Sequence, residues 1–310
     1  MGVGSKLRKI TSSMKRFALS ALAFLAVTAP SYAQMTDASC AVSWGLISNL
    51  MTLPQEVSPS IDGGACVVRD LEVMNGRVRI LVDVIRWELD GLEALLVSGS
   101  LLDRAEIHAR GIYVVASTGM PDFDYMLEAQ ARATEGISVD LLATHEDGQV
   151  LLEQLHVDFP GENAIDATLR LDTVDPRRPE TALLSDLRLE LLTHGLFETY
   201  ALMPLGNLLL STDEDPAAQV DRLRAEAIAA IGTLPEPLFN ATSRQALTLL
   251  VEDMPNPAGR VVLDLQSDQG LPITQLSGTV GPFGWIPVSD PLAVLQGVDL
   301  DITYDRSGAE

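Results

Sequence analysis

Alternation of apolar and polar side chains is the feature that most constrains the fold of this chain. In Ile165–Thr173 every second residue is apolar, and Val298–Asp305 repeats the pattern with Asp or Thr between the apolar positions. A period of two places successive side chains on opposite faces of a strand, so that one face is buried and the other is wet. Six further segments show the pattern less regularly: Gly76–Leu89, Leu101–Ser117, Ile137–Thr144, Gln149–Phe159, Leu183–Leu192 and Gly259–Ser267.

Short turn sequences separate these segments and predict how the strands pair. His145–Gly148 and Phe159–Asn163 have the composition of hairpin loops, and Asp175–Pro179 is a longer break. Consecutive strands joined by short turns pair antiparallel. The segment Phe123–Thr134 is ambiguous, because its residues favour helix but alternate in polarity; we predict a strand there.

One region has helical rather than strand character. The acidic sequence before Pro216 is typical of a helix start, and the apolar stripe that follows predicts a helix over Pro216–Ile231. A second helix is predicted over Thr242–Asp253 and a weaker one over Cys40–Leu50, with a further helical turn after Pro291.

Together these patterns predict the fold class. We expect a mainly β (α+β) protein, built as a large curved antiparallel sheet with a small helical insert at about 205–255. Because strands flank the insert on both sides, we expect a single β-rich domain over 34–310 rather than two domains in series.

The N-terminal segment has the composition of a secretory signal peptide. Residues 1–33 contain a basic start, an apolar run over Phe17–Ala29, and small residues at Ser31 and Ala33. We predict cleavage between Ala33 and Gln34, and therefore a periplasmic protein. The apolar run is too short for a membrane helix, and no later run reaches about 18 residues, so we expect no membrane span in the mature chain.

Two cysteines are available in the exported chain. Cys40 and Cys66 can pair with each other alone, and export would place them in an oxidising compartment. Their spacing is far from the C-x-x-C of redox-active dithiols, so we predict a structural disulfide between them.

The charge of the mature chain excludes several functions. Beyond residue 33 it has 16 basic and 43 acidic residues, a formal charge of −27, and every one of those cations is Arg. Such a surface repels nucleic acid and anionic head groups. Because no Lys follows Lys15, a Schiff-base Lys, a Walker A Lys and a Ser-x-x-Lys site are all excluded.

No motif in the sequence assembles a catalytic, cofactor or metal site. His156 and Asp158 share one face of a predicted strand, but we interpret them as an ordinary solvated pair. The acidic clusters Asp122/Asp124, Asp213–Asp215 and Asp299/Asp301 suit Ca²⁺ chemically, yet a solvated face or a helix start explains them equally. We therefore predict no catalytic residue, no cofactor and no metal ligand.

A run of motifs resembles a known group of proteins. A turn at Asp90-Gly91-Leu92 is followed by Leu187–Leu191, by His194–Glu198, by a helical hairpin and by further strands. Over about 70–310 this resembles uncharacterised exported proteins of Gram-negative bacteria and, loosely, AsmA-like envelope proteins. The resemblance implies a long curved antiparallel sheet in the periplasm and a role in envelope lipid handling.

Three hypotheses about function follow. The first is a non-enzymatic periplasmic protein that holds a lipid or an envelope protein on an apolar sheet face. The second is a periplasmic hydrolase that uses paired carboxylates. The third is an interaction scaffold whose helical insert docks a partner through an apolar set: Leu223, Ile228, Leu247 and Leu250. The same set is explained equally well as the face of the insert that packs onto the sheet, so we predict no binding residue.

Overall fold

The computed structural model describes residues 35–51, 53–54, 56–178, 181–211, 213–236, 238–274, 295 and 297–306. The predicted signal peptide, its cleavage site at Ala33 and Gln34, and the predicted helical turn after Pro291 lie outside these residues.

Ten strands form one open antiparallel sheet, in which every strand pairs with its neighbours in chain order. Eight of the nine predicted strand segments are confirmed, and two N-terminal strands were not predicted. The strands are β1 Ser60–Asp62, β2 Ala65–Asn75, β3 Val78–Asp90, β4 Arg104–Ala116, β5 Ile137–Glu146, β6 Gln149–Phe159, β7 Asn163–Asp172, β8 Leu183–His194, β9 Ala258–Pro272 and β10 Val298–Asp305.

Helices occupy the connections, and the largest group lies between β8 and β9, which confirms the predicted insert. Asp215 caps the helix after it by accepting a hydrogen bond from the Ala218 amide at 2.9 Å, as the acidic helix start predicted. The helices are α1 Asp37–Met51, α2 Leu92–Ser98, α3 Pro121–Ala131, a π-helix Phe197–Ala201, α4 Leu202–Leu209, α5 Pro216–Gly232 and α6 Ala241–Asp253.

The predicted strand at Phe123–Thr134 is wrong, since this segment forms α3. Pro121 begins the helix, and Asp122 and Asp124 lie in its first turn, where negative charge is favourable. No side chain of α3 is buried. The alternation of apolar and polar residues in this segment therefore does not correspond to a buried and an exposed sheet face. The helix propensity of its residues then determines the structure.

Bulges bend the middle of the sheet. Register shifts interrupt the pairing of each neighbouring pair from β4–β5 to β8–β9, and such bulges increase the local twist. At the β4 bulge Gly111 has a φ of +65°, and a Cβ there would come within 2.0 Å of an Asp83 carboxylate oxygen. Only glycine fits at this position.

The sheet has one apolar and one polar face. Residues that lie opposite each other on neighbouring strands show which side chains belong to each face. One face carries an apolar row from β2 to β10: Cys66, Trp87, Ile107, Leu141, Leu155, Ala167, Leu189, Leu263 and Ile302. The adjoining row on the other face is charged from β3 to β8: Arg86, His108, Asp140, His156, Asp166 and Glu190.

The buried core lies on the apolar face at one end of the sheet. We call this the lower end, where β3 finishes at Asp90 and β4 begins at Arg104; the opposite end is the upper end. Side chains from α2, from residues 238–239 and from the strands are buried there. Among them are Leu89, Leu92, Leu101, Leu102, Ala105, Ala143, Val150, Leu171, Leu184, Leu238, Phe239 and Leu271.

Helix α1 covers the apolar face near β2 and β3. Cys40 and Cys66 form a disulfide with a Cα–Cα distance of 5.4 Å, as predicted. Beside it the rings of Trp44 and Trp87 stack at 5.8 Å, and Trp87 Nε1 donates a hydrogen bond to Ser43 Oγ at 2.9 Å.

Helix α6 is attached to β10 at the other edge of the sheet. Ser243 is fully buried; its Oγ accepts a hydrogen bond from the Ile302 amide at 2.9 Å and donates to Asp301 at 3.2 Å. Tyr304 donates to Asp253, the last residue of α6, at 2.8 Å. Helices α1 and α6 therefore cover the two edges of the sheet, and the strands between these edges are the candidate functional surface.

Candidate functional site

The apolar face between β6 and β9 carries side chains that do not belong to the buried core. In cross-strand register Val157 pairs with Ile165, Ile165 with Leu191, and Leu191 with Val261. The next row toward the lower end contributes Leu155 and Leu189. We call this set the open apolar patch: Leu155, Val157, Ile165, Leu189, Leu191 and Val261.

The open apolar patch is accessible to solvent. Leu189 at its centre is 37% exposed, and the other five side chains are half-buried. Its neighbours in the sheet, Ala167 and Leu263, are also apolar. The strand pairing satisfies the backbone polar groups beneath, so the patch offers a ligand dispersion contacts and an apolar surface, and few hydrogen bonds.

The helical insert borders the patch at the upper end. The Phe159 ring lies on the same face as Val157 and contacts the Tyr200 ring of the π-helix at 5.3 Å. Burial raises the pKa of the Tyr200 hydroxyl, which therefore stays neutral over the physiological range. The π-helix thus begins over the apolar face, next to the open apolar patch.

The polar face holds a histidine between two carboxylates. His108 Nδ1 lies 2.5 Å from Asp140 Oδ1, and its Nε2 lies 2.9 Å from Glu106 Oε1. The hydrogen bond with Asp140 raises the pKa of His108, and the bond with Glu106 adds to it. Burial disfavours the charged form of Asp140, but bonds from His108 and Arg110 outweigh it and lower its pKa.

His156 and Asp158, which the sequence places on one solvated strand face, do not bond to each other, and His156 forms a cross-strand pair instead. His156 Nδ1 lies 2.7 Å from Asp166 Oδ1 on β7, because directly opposed residues on neighbouring strands come closer than residues two apart on one strand. Among the described residues no group of three or more His, Cys, Asp or Glu side chains is arranged to hold a metal ion.

The predicted acidic clusters have structural partners. Asp124 accepts hydrogen bonds from the Thr118 amide and hydroxyl, at 2.7 and 2.8 Å. Glu214 pairs with Arg222 at 2.8 Å, and Asp301 binds α6 as described above. These carboxylates stabilise helix starts and helix–sheet contacts.

The most exposed apolar side chains of the insert lie outside the set that the scaffold hypothesis names. Leu223, Ile228, Leu247 and Leu250 are half-buried, and Leu247 packs against the core. The exposed apolar residues of the insert lie instead on α4, where Met203 is 72% exposed. The sequence contains an indication of this exposed apolar surface, because the segment Leu202–Leu210 is rich in Leu and carries no charge.

A small surface cavity lies between α1 and residues 57–59. Its volume is about 330 Å³, and Trp44, Ser48 and Val57 are among its lining residues. The Trp44 indole Nε1 is buried and makes no hydrogen bond among the described residues. This volume is near the lower limit of ligand pockets.

No protein-family model, no curated protein and no solved structure matches this chain. No helix of the described part of the chain has the length and apolar character needed to cross a membrane.

Proposed function

We propose that this protein is a non-enzymatic protein of the periplasm that binds the hydrocarbon chain of a lipid on the open apolar patch. The observation that supports this most directly is the uninterrupted register Val157–Ile165–Leu191–Val261, which leaves an accessible apolar row across four strands.

The dimensions of the patch suit one acyl chain. Four neighbouring strands span three spacings of about 4.8 Å, or roughly 14 Å. One leaflet of a bilayer has a hydrocarbon thickness of about 15 Å, half of the full core. An extended chain could therefore lie across β6 to β9 and cover both rows of the patch.

The chemistry of the patch also favours hydrocarbon over a peptide. A bound peptide would bring backbone N–H and C=O groups that need partners, and the strands below have already paired theirs. The formal charge of −27 beyond residue 33 disfavours an anionic head group. We therefore expect neutral or zwitterionic lipids to bind better than anionic ones.

The test is displacement of a zwitterionic phosphatidylcholine analogue with a fluorescent acyl chain from the purified mature protein by unlabelled lipids. Leu189→Arg places a charge in the centre of the patch, and Leu189→Gln is the milder variant. Leu151→Arg is the matched control, because Leu151 is 38% exposed and lies on the polar face, opposite Thr144 and Arg170.

We expect Leu189→Arg to weaken binding at least about 10-fold, which corresponds to the contacts of one apolar side chain. Leu189→Gln should have a smaller effect in the same direction, and Leu151→Arg should bind like the unmodified protein. Equal binding by all variants, or equal loss in the control, would refute the proposal and shift attention to the protein-scaffold hypothesis.

A further inference from the structure

A histidine belongs to the buried core at the lower end of the sheet. His145 is 7% exposed and is the last residue but one of β5. In cross-strand register it lies opposite Val150 on β6. The row continues through Leu171 on β7 and Leu184 on β8, and all three of these neighbours are buried. His145 is therefore an ionisable residue in an apolar row.

The surroundings of the His145 ring accept its neutral form better than its charged form. The Nδ1 atom is buried and has no hydrogen-bond partner among the described residues. A neutral imidazole can leave Nδ1 without a proton, whereas the imidazolium carries an N–H on both ring nitrogens. The charged form would therefore bury a donor without an acceptor, together with part of a positive charge. Protonation of His145 thus opposes its packing in the core.

Burial of the ring lowers the pKa of His145 below its ordinary value of 6.5. The Asp103 carboxylate just before β4, the Asp147 carboxylate in the β5–β6 turn and the backbone of His145 itself favour the imidazolium, but they do not offset burial. The row neighbours on β6, β7 and β8 carry no charge. The stability of this packing is therefore complete above about pH 6.5 and is lost as the pH falls below that value, because the opened hairpin then binds a proton that the packed one does not.

Two backbone hydrogen bonds hold the end of the β5–β6 hairpin to its neighbours. The His145 amide donates to the Asp103 carbonyl, and the Val174 amide donates to the Gly148 carbonyl, both at 2.9 Å. For the imidazolium to be fully hydrated, the end of the hairpin must move away from the core. That movement breaks both bonds, so the two amides report directly whether the hairpin is packed or open.

We propose that His145 is a pH switch, whose protonation under mildly acidic conditions opens the end of the β5–β6 hairpin at the lower end of the sheet. The opening is local, because His145 lies next to the turn and the apolar row beyond it does not change charge. Local opening of a segment costs less free energy than unfolding of the whole domain. The switch uses no residue of the open apolar patch, so it stands independently of the proposed function.

The experiment is amide hydrogen exchange of the purified mature protein, followed by NMR between about pH 7 and about pH 5. The rates are corrected for the intrinsic pH dependence of exchange, so that the protection of each amide reports its opening equilibrium. The amides of residue 145 and Val174 report the end of the hairpin. The amides of Leu187 and Leu189 report the centre of β8, which pairs with both neighbouring strands.

Two variants remove the ionisable ring, and a third is the control. His145→Gln is neutral at every pH, and His145→Phe keeps a ring of similar shape without a titratable group. Because the two differ in polarity, His145→Phe remains available as a folded neutral variant if the core does not accept the Gln amide. The control is His108→Gln, since the pKa of His108 on the polar face is raised by its hydrogen bond with Asp140 and not lowered.

We expect the protection of the residue 145 and Val174 amides to fall about 10-fold or more over this pH range in the unmodified protein and in His108→Gln. In His145→Gln and His145→Phe it should stay constant within about 2-fold, and the β8 amides should not change in any sample. Unchanged protection in the unmodified protein, or a fall of the same size in both His145 variants, would overturn the inference. An equal fall of the β8 amides would also overturn it, because the whole sheet would then be opening.

Discussion

The attachment of α1 to the sheet depends on one buried hydroxyl, and its loss should be measurable. Ser43 is fully buried and is the acceptor for the Nε1–H of Trp87, which is itself fully buried. Ser43→Ala leaves that donor without a partner in an apolar environment, which costs about 1–3 kcal/mol. Alanine favours the helix by about 0.5 kcal/mol over serine, so we expect a net loss of about 1.5 kcal/mol.

A matched control lies one turn further along the same helix. Ser48 is also buried, but its hydroxyl donates only within the helix, to the Gly45 carbonyl at 3.3 Å. In Ser48→Ala the better helix propensity offsets that weak bond, and we expect a change within about 0.5 kcal/mol. Both variants replace a buried serine of the same helix by alanine. They differ because only Ser43 bonds to a residue of the sheet.

The assay is urea unfolding followed by circular dichroism and tryptophan fluorescence, with the free energy of unfolding extrapolated to water. Ser43→Ala should lower the melting temperature by roughly 3–6 °C for a chain of this size. In a Trp87→Phe background the donor is gone, so Ser43→Ala should cost nothing further. Equal effects of the two serine variants, or an unchanged cost in the Trp87→Phe background, would refute this reasoning.

Three further predictions concern stability and titration. Replacing Cys40 and Cys66 by Ser should lower the free energy of unfolding by about 3 kcal/mol, the entropy of the released loop, as measured in urea. His108 should titrate above the ordinary value of about 6.5 in NMR, and Asp140→Asn should lower that midpoint. The raised pKa means that the stabilisation by His108 is complete below about pH 6.5 and is lost as the pH rises through the folded-state value. Ser243→Ala should cost about 1–3 kcal/mol in thermal unfolding, because it leaves the Ile302 amide buried without an acceptor.

The sequence predicted most of the sheet because alternation reports directly which side of a strand is buried. Ile165–Thr173 and Val298–Asp305, the most regular segments, correspond closely to β7 and β10. The segment that became α3 was mistaken for a strand, since none of its side chains is buried and its alternation carries no information about a sheet face. Strand β2 was missed because its first four residues are all buried and show no alternation.

The candidate site could not be derived from the sequence in the same way. An apolar strand residue looks alike in sequence whether a helix covers it, as at Trp87, or solvent does, as at Leu189. The open apolar patch depends on cross-strand register between residues as distant as Val157 and Val261, and the bulges that set this register leave no clear sequence signal. The exposure of the α4 side chains also cannot be read from the sequence, because it depends on the direction in which the chain continues from the end of β8.

The most direct test of the acyl-binding account is native mass spectrometry of the mature protein purified from periplasm, followed by organic extraction and lipid analysis. The account predicts a stoichiometric lipid mass on the unmodified protein and on Leu151→Arg, and its loss from Leu189→Arg. A protein mass without lipid in every sample, or a lipid that remains bound in Leu189→Arg, would contradict the assignment of the open apolar patch as the binding site.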